Sequence, residues 1–430
     1  QGAIAAQRQV QDALAALGRK ALADVRQDPG RMGVVVFGRA YNSFVSEANK
    51  GIPDKFATRG LPIIPYDMLP LEEEELDANH NMYWGTGRAI LQAAQYVARD
   101  PQLFGVFISN FSCGPDSFIT GYFREIMGRK PSLTLELDSH TADAGIETRI
   151  EAFLDVVHHY RQLTEAAHPA QGNGFCPAII EYRGREAGIR TETGEWFPLR
   201  HPRVKVIMPS MGGDVTEFLA KAFQRTGVRL EILPPANEEI LKLGRAHTSC
   251  KECLPLQTTT GSLMHYLKTR SPDEITAYFM ASTDGPCRFG QYQVFSKNLI
   301  EKQRIPSLAV ISLTTANNYG GLGTKFILTG WRALILGDLF EEIRATILAG
   351  AVAREDALRI FDEERQAILD ALDKPWTKLL KQVSASARRL GGIELKRPYH
   401  ELPKISLVGE IYVRNDPVSL QNLVERLSAK

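Results

Sequence analysis

Several stretches of this chain are apolar almost without a break: Gly33-Val-Val-Val-Phe-Gly38, Leu103-Phe-Gly-Val-Phe-Ile-Ser109, Val204-Lys-Val-Ile-Met208 and Ser307-Leu-Ala-Val-Ile-Ser312. A strand apolar at every position must be covered on both faces. Helices packed on the two sides of a parallel sheet provide that cover. Further short runs read as strands: Leu61–Pro65, Ser132–Leu137, Leu230–Leu233 and Thr276–Met280. Helical periodicity fills the intervals, over 3–26, 44–58, 81–99, 116–128 and 145–165. Residues 171–202 break the rhythm with glycines and prolines, Gly172, Gly174, Pro177, Gly184, Gly188, Gly194 and Pro198 among them. A helical stretch over 327–390 precedes one more expected strand, Ile405–Val408, and a last helix near 418–427.

The expected fold class is therefore α/β, with two parallel-sheet domains of the Rossmann or flavodoxin-like kind. An N-terminal helix covers 1–30, the first domain 31–170, a hairpin-like linker 171–202, and the second domain 203–430 with a helical insertion. The length of 430 residues suits two cores rather than one. A net charge of +1 gives no reason to expect nucleic acid or a membrane surface as partner. No apolar run approaches the ~20 residues of a membrane span. The start, Gln1-Gly-Ala-Ile-Ala-Ala-Gln-Arg, lacks a signal-peptide pattern, and its missing Met suggests a piece of a longer chain. Five cysteines, an odd number clustered in loops, argue against a disulfide framework and for a reducing cytoplasm.

The loops after the strands carry the unusual residues, and this is the edge where open α/β sheets bind ligands. Cys113 lies in Asn110-Phe-Ser-Cys-Gly-Pro-Asp116, in the first expected domain. Cys250 and Cys253 form Cys-Lys-Glu-Cys before Leu254-Pro255, and Cys287 lies in Asp284-Gly-Pro-Cys-Arg-Phe-Gly290; both belong to the second. Fixed turns aim a sulfur, and backbone N–H groups stabilise a thiolate. These four cysteines read as ligands of an iron–sulfur cluster in the cleft between domains. A structural zinc held by four thiolates, or plain packing, are the alternatives. Cys176 in the linker reads as a free thiol. Arg39, Tyr41 and Asn42 are expected to touch a substrate or the cluster's surroundings; a helix-capping loop is the alternative.

Other features are weaker. Ser210-Met-Gly-Gly-Asp214 opens a helix and suits an anion or an ordinary cap. Asn317, Asn318 and Tyr319 precede a glycine run without the lysine of a phosphate loop. Glu410, Arg414 and Asp416 line the expected cleft or a solvated face. Glu72–Glu75 reads as solvated loop, and His80 and His265 as ordinary histidines.

Taken together, Phe37-Gly-Arg-Ala-Tyr-Asn42, Asn110-Phe-Ser-Cys-Gly-Pro-Asp-Ser-Phe118, Cys250-Lys-Glu-Cys-Leu-Pro255, Gly285-Pro-Cys-Arg-Phe-Gly-Gln-Tyr292 and Val408-Gly-Glu-Ile-Tyr-Val-Arg-Asn-Asp-Pro417 resemble the acyl-CoA dehydratase activase-related family. That family is akin to 2-hydroxyacyl-CoA dehydratase and benzoyl-CoA reductase subunits and to double-cubane cluster proteins. The resemblance implies an iron–sulfur protein that receives low-potential electrons from an actin-like, ATP-hydrolysing activase, and a reductase or dehydratase-like component of a larger enzyme. It implies a [4Fe–4S] cluster on Cys113, Cys253 and Cys287, either with one iron left open for substrate or with Cys250 as a fourth ligand. A double-cubane [8Fe–9S] cluster takes six cysteines per chain, and this chain has five. Related subunits pair, which implies a homodimer. The alternative function is a non-catalytic docking module stapled by an iron–sulfur cluster or zinc.

Overall fold

The apolar runs become strands because each finds parallel neighbours and a helix on either side. In the computed structural model, residues 2–71, 74–76, 82–111, 113–164, 175–184, 186–283, 285–314 and 322–428 are described. The chain divides into two units, Gln1–Gly174 with Asp284–Val294, and Phe175–Thr283 with Phe295–Lys430.

The first unit carries β1 (Gly33–Phe37), β2 (Ile63–Pro65), β3 (Leu103–Asn110) and β4 (Ser132–Leu137). They form a parallel sheet in the order β2-β1-β3-β4. Val35 pairs with Ile64 on one side and Gly105 on the other. Every residue of β1 is buried, as the unbroken apolar run requires. One face packs Phe56, Phe104, Ile150 and Phe153. On the other, Phe123 lies so close to Gly105 that a Cβ there would stand 2.9 Å from its ring. The N-terminal helix, Gly2–Arg26, buries only Gly18, Leu22 and Val25. A Cβ on Gly18 would overlap the Met68 carbonyl oxygen, so the glycine lets the helix rest on the 66–68 turn.

In the second unit, β5 (Ile179–Arg183), β6 (Glu186–Arg190) and β7 (Trp196–Pro198) form an antiparallel sheet. Ala187 and Ile189 from it join the core of the next sheet. That sheet is parallel, with β8 (Val204–Met208), β9 (Leu230–Ile232), β10 (Ile275–Phe279) and β11 (Leu308–Ile311) in the order β11-β10-β8-β9. Read from β9, this is the order of the first sheet: second, first, third and fourth strand. The two units repeat one topology without a repeated sequence motif. Three long helices follow β11, at Thr324–Gly350, Arg354–Ala371 and Trp376–Gly391, around Phe218, Phe340 and Phe361, and two short ones end the described chain, Pro417–Leu420 and Leu423–Ser428.

The expected strand Ile405–Val408 does not form. These residues are irregular, with Ile405 65% and Val408 88% exposed. A short apolar run becomes a strand only where a neighbour completes its hydrogen bonds, and this one pairs with none of the described strands. No helix among the described residues is long and apolar enough to cross a membrane.

Candidate functional site at the β1/β3 switch point

In the order β2-β1-β3-β4 the chain leaves β1 toward one side of the sheet and later returns on the other. The loops after β1 and β3 therefore start side by side at the carboxyl ends of these strands, the edge where open α/β sheets bind ligands. Gly38 follows β1 with φ of 132°, and a Cβ there would overlap the Ile108 carbonyl oxygen of β3. The next residues turn into the short helix Ala40–Ser43.

This geometry gathers a polar cluster. The Arg39 guanidinium donates through Nη2 to Cys113 Sγ. Its Nε faces Asp116 Oδ1 as an ion pair at 3.2 Å. Asp116 is 2% exposed, and Ser109 Oγ donates to its other oxygen at 2.6 Å. Asn110 Nδ2 donates to Asn42 Oδ1 at 2.7 Å. Asn42 is 1% exposed, and its Nδ2 has no hydrogen-bond partner among the described residues. Arg39 also lies 4.9 Å from the centre of the Tyr41 ring. Burial pushes the Cys113 thiol above its ordinary pKa, while Arg39 pulls it down. Burial likewise raises Tyr41. Arg39, Tyr41, Asn42 and Cys113 thus stand together. Asp116 and Ser109 complete the cluster without having been assigned a role from sequence. A carboxylate three residues after a cysteine, at the start of helix Asp116–Met127, was the legible signal.

The Cys287 loop belongs to this unit too. Tyr83 Oη donates to the Cys287 carbonyl at 2.9 Å, and Trp84 Nε1 to that of Gly285 at 2.8 Å. The Arg288 side chain reaches the Cys113 loop, where a Cβ on Gly114 would stand 3.7 Å from its Nε. Cys287 itself is exposed and caps the 3₁₀ turn Arg288–Gln291.

Cys253 and Cys250 lie in the second unit. Cys253 is the N-cap of helix Leu254–Leu267, whose first N–H groups favour a thiolate. Cys250 is exposed, has φ of 60°, and directs its Sγ to the Arg245 carbonyl at 3.6 Å. Glu252 is buried and accepts from the Ser249 N–H at 3.1 Å. Cys176 is exposed ahead of β5.

At Ser210–Asp214 the helix starts at Gly213, with Gly212 as its cap. The anion there is the chain's own: Glu341 Oε1 accepts from the Asp214 N–H at 2.7 Å. Asp214, 12% exposed, is pushed up to about 6 by burial and then by Glu341, against Arg365 at 3.2 Å. Such a carboxyl holds its proton more tightly folded than unfolded. Its contribution to stability is therefore present below about pH 4 and falls as pH rises through about 6. Asp214→Asn should shrink the difference between urea midpoints at pH 5 and pH 8; an unchanged difference would refute this assignment.

Glu410 and Asp416 serve local turns, accepting from the N–H groups of Val413 and Ser419 at 2.8 Å each. Arg414 is exposed, and His265 Nδ1 lies 3.7 Å from Glu239. Gly172, Gly174, His80, Glu72, Glu73, Ser112 and Asn317–Tyr319 with the following Gly320 and Gly321 lie outside the described residues.

The five cysteines, all among the described residues, form no disulfide, and thiolate sulfur is the donor that an iron–sulfur cluster takes. Among the described residues no three His, Cys, Asp or Glu side chains stand together as a metal site. Residues 1–69 match the family model described as a CoA enzyme activase uncharacterised domain. This segment is activase-related. It supplies β1, β2 and the Arg39–Asn42 arm of the switch-point cluster. No curated protein and no solved structure matches the chain.

Proposed function

We propose that this activase-related chain is an iron–sulfur protein of ATP-dependent, low-potential electron transfer or reduction, served by an ATP-hydrolysing activase. One observation carries the reading. Cys253 and Cys287 each sit immediately before a helical turn, and Cys113 sits three residues before the first residue of helix Asp116–Met127, where unpaired N–H groups favour a thiolate. Cys250 lacks that setting and is the fourth, weaker donor. A [4Fe–4S] cluster on these thiolates would supply one-electron chemistry at a potential set by its surroundings.

The chain's own residues have definable tasks. Arg39 sets a positive charge against the Cys113 sulfur, and Asp116 balances it. Arg288 adds a second cation beside the same loop. Two guanidiniums there raise a reduction potential, and one buried carboxylate offsets part of that. Asn42 Nδ2, buried and without a hydrogen-bond partner among the described residues, is a spare donor beside this cluster.

Anaerobically prepared protein should contain about four irons with matching sulfide, as cuboidal clusters do, and give a spin-resonance signal on reduction. Cys113→Ser should lose that iron, while Cys176→Ser keeps it. A colourless protein with one zinc would support the docking module instead. Protein that takes up neither metal refutes both readings.

A further inference from the structure

Helix Thr324–Gly350 is apolar on two opposite faces, and the fold covers one of them. Ala333, Phe340 and Ile347 are buried in the core around Phe218 and Phe361. That face is fixed: a Cβ on Gly337 would stand 2.6 Å from the Val215 Cα, so the helix lies backbone to backbone on its neighbour. The far side carries Leu328, Trp331, Ile335 and Leu339, exposed at 53%, 64%, 57% and 48%. Their spacing of three and four residues sets them in one stripe along the helix. A helix apolar all round belongs inside a larger core. Rotation cannot bury this stripe without uncovering the other face.

The stripe continues onto a second helix. Arg332 stacks on Trp376, its Cζ 4.4 Å from the ring centre, which seats helix Trp376–Gly391 alongside. Trp376 and Leu380, four residues apart on that helix, are 49% and 42% exposed. Six large side chains, each about half exposed, present on the order of 600 Å² of apolar surface, the upper end for a monomer. With a polar rim this comes near the ~800 Å² that each partner gives to a stable dimer. Tryptophan and arginine are also the residues that dominate the energetics of such interfaces.

The charges suit a copy of the same chain. Arg332 and Asp338 stand three residues to either side of Ile335. Neither has an ion-pair partner among the described residues. A two-fold axis through Ile335 sets each of them level with its opposite charge on the other copy, twice per dimer.

We propose that this face binds a second copy of the chain, the two long helices crossing antiparallel about a two-fold axis at Ile335. Trp331 then lies level with the partner's Leu339, and Ile335 meets its own counterpart. None of these residues belongs to the cysteine loops, so the surface stands apart from the iron–sulfur reading.

Sedimentation equilibrium of the full chain should show monomer and dimer exchanging with a Kd in the micromolar range or tighter, as interfaces of this size give. Ile335→Asp sets like charges together at the axis and should weaken the dimer at least tenfold. Its circular dichroism spectrum and urea midpoint should not change, because the side chain is exposed. Val156→Asp, at a similarly exposed position on helix Asp143–Thr164, should leave the dimer intact. Asp338→Arg should weaken the dimer about tenfold, and adding Arg332→Asp should recover much of that loss, a rescue that only a second copy can give. A monomer at about 100 µM, a dimer indifferent to Ile335→Asp, or no recovery in the exchanged pair overturns the proposal. So does a monomer that uses this face to bind anionic lipid vesicles instead.

Discussion

Arg39→Ala should destabilise the first unit by about 3 kcal/mol, the lower end of the effect of stranding a buried charge. Asp116 is 2% exposed and faces Arg39 at 3.2 Å. Without the guanidinium, the buried carboxylate loses its cation and keeps the Ser109 hydroxyl at 2.6 Å as a donor. A double variant, Arg39→Ala with Asp116→Asn, removes both charges and should recover much of the loss. Urea unfolding of the two singles and the double measures the coupling. If the single loses less than about 1 kcal/mol, the pair behaves as an exposed ion pair and not as the core of the site. The functional reading depends on this pair, because the cation that Asp116 holds is the one placed against the Cys113 sulfur.

Gly38→Ala should be of similar size, about 3 kcal/mol, from crowding and backbone strain together. Its φ of 132° is poorly accessible to L side chains. The new Cβ would meet the Ser43 hydroxyl, which can rotate away, and the Ile108 carbonyl, which β3 fixes. Relief requires β1 and β3 to part at their carboxyl ends, where Arg39 and Cys113 meet. Thermal melts should show the loss. Gly121→Ala is the control, since a Cβ there would meet nothing within 4 Å. Equal melting temperatures for the two variants would show that the switch point is slack.

Much of the fold was legible because burial writes itself into sequence. β1 is buried at all five positions and β3 at seven of eight, so their apolar runs admit no half-exposed sheet. Ile405-Ser-Leu-Val408 is mostly apolar too and failed, because strand pairing is a property of neighbours rather than of the run. Arg39 and Asn42 were legible as polar residues at a strand end, but not as partners of Asp116 and Asn110, which lie about seventy residues away in the chain.

Residue order alone thus determined the α/β class and the parallel strands. Tertiary structure decided which side chains meet. The order β2-β1-β3-β4 set the Arg39 loop beside the Cys113 loop. Hydrogen bonds from Tyr83 and Trp84 tied the Cys287 loop to the first unit. The reason is physical: periodicity records whether a side chain faces water or a core, whereas the identity of its neighbour depends on the path the backbone takes between strands.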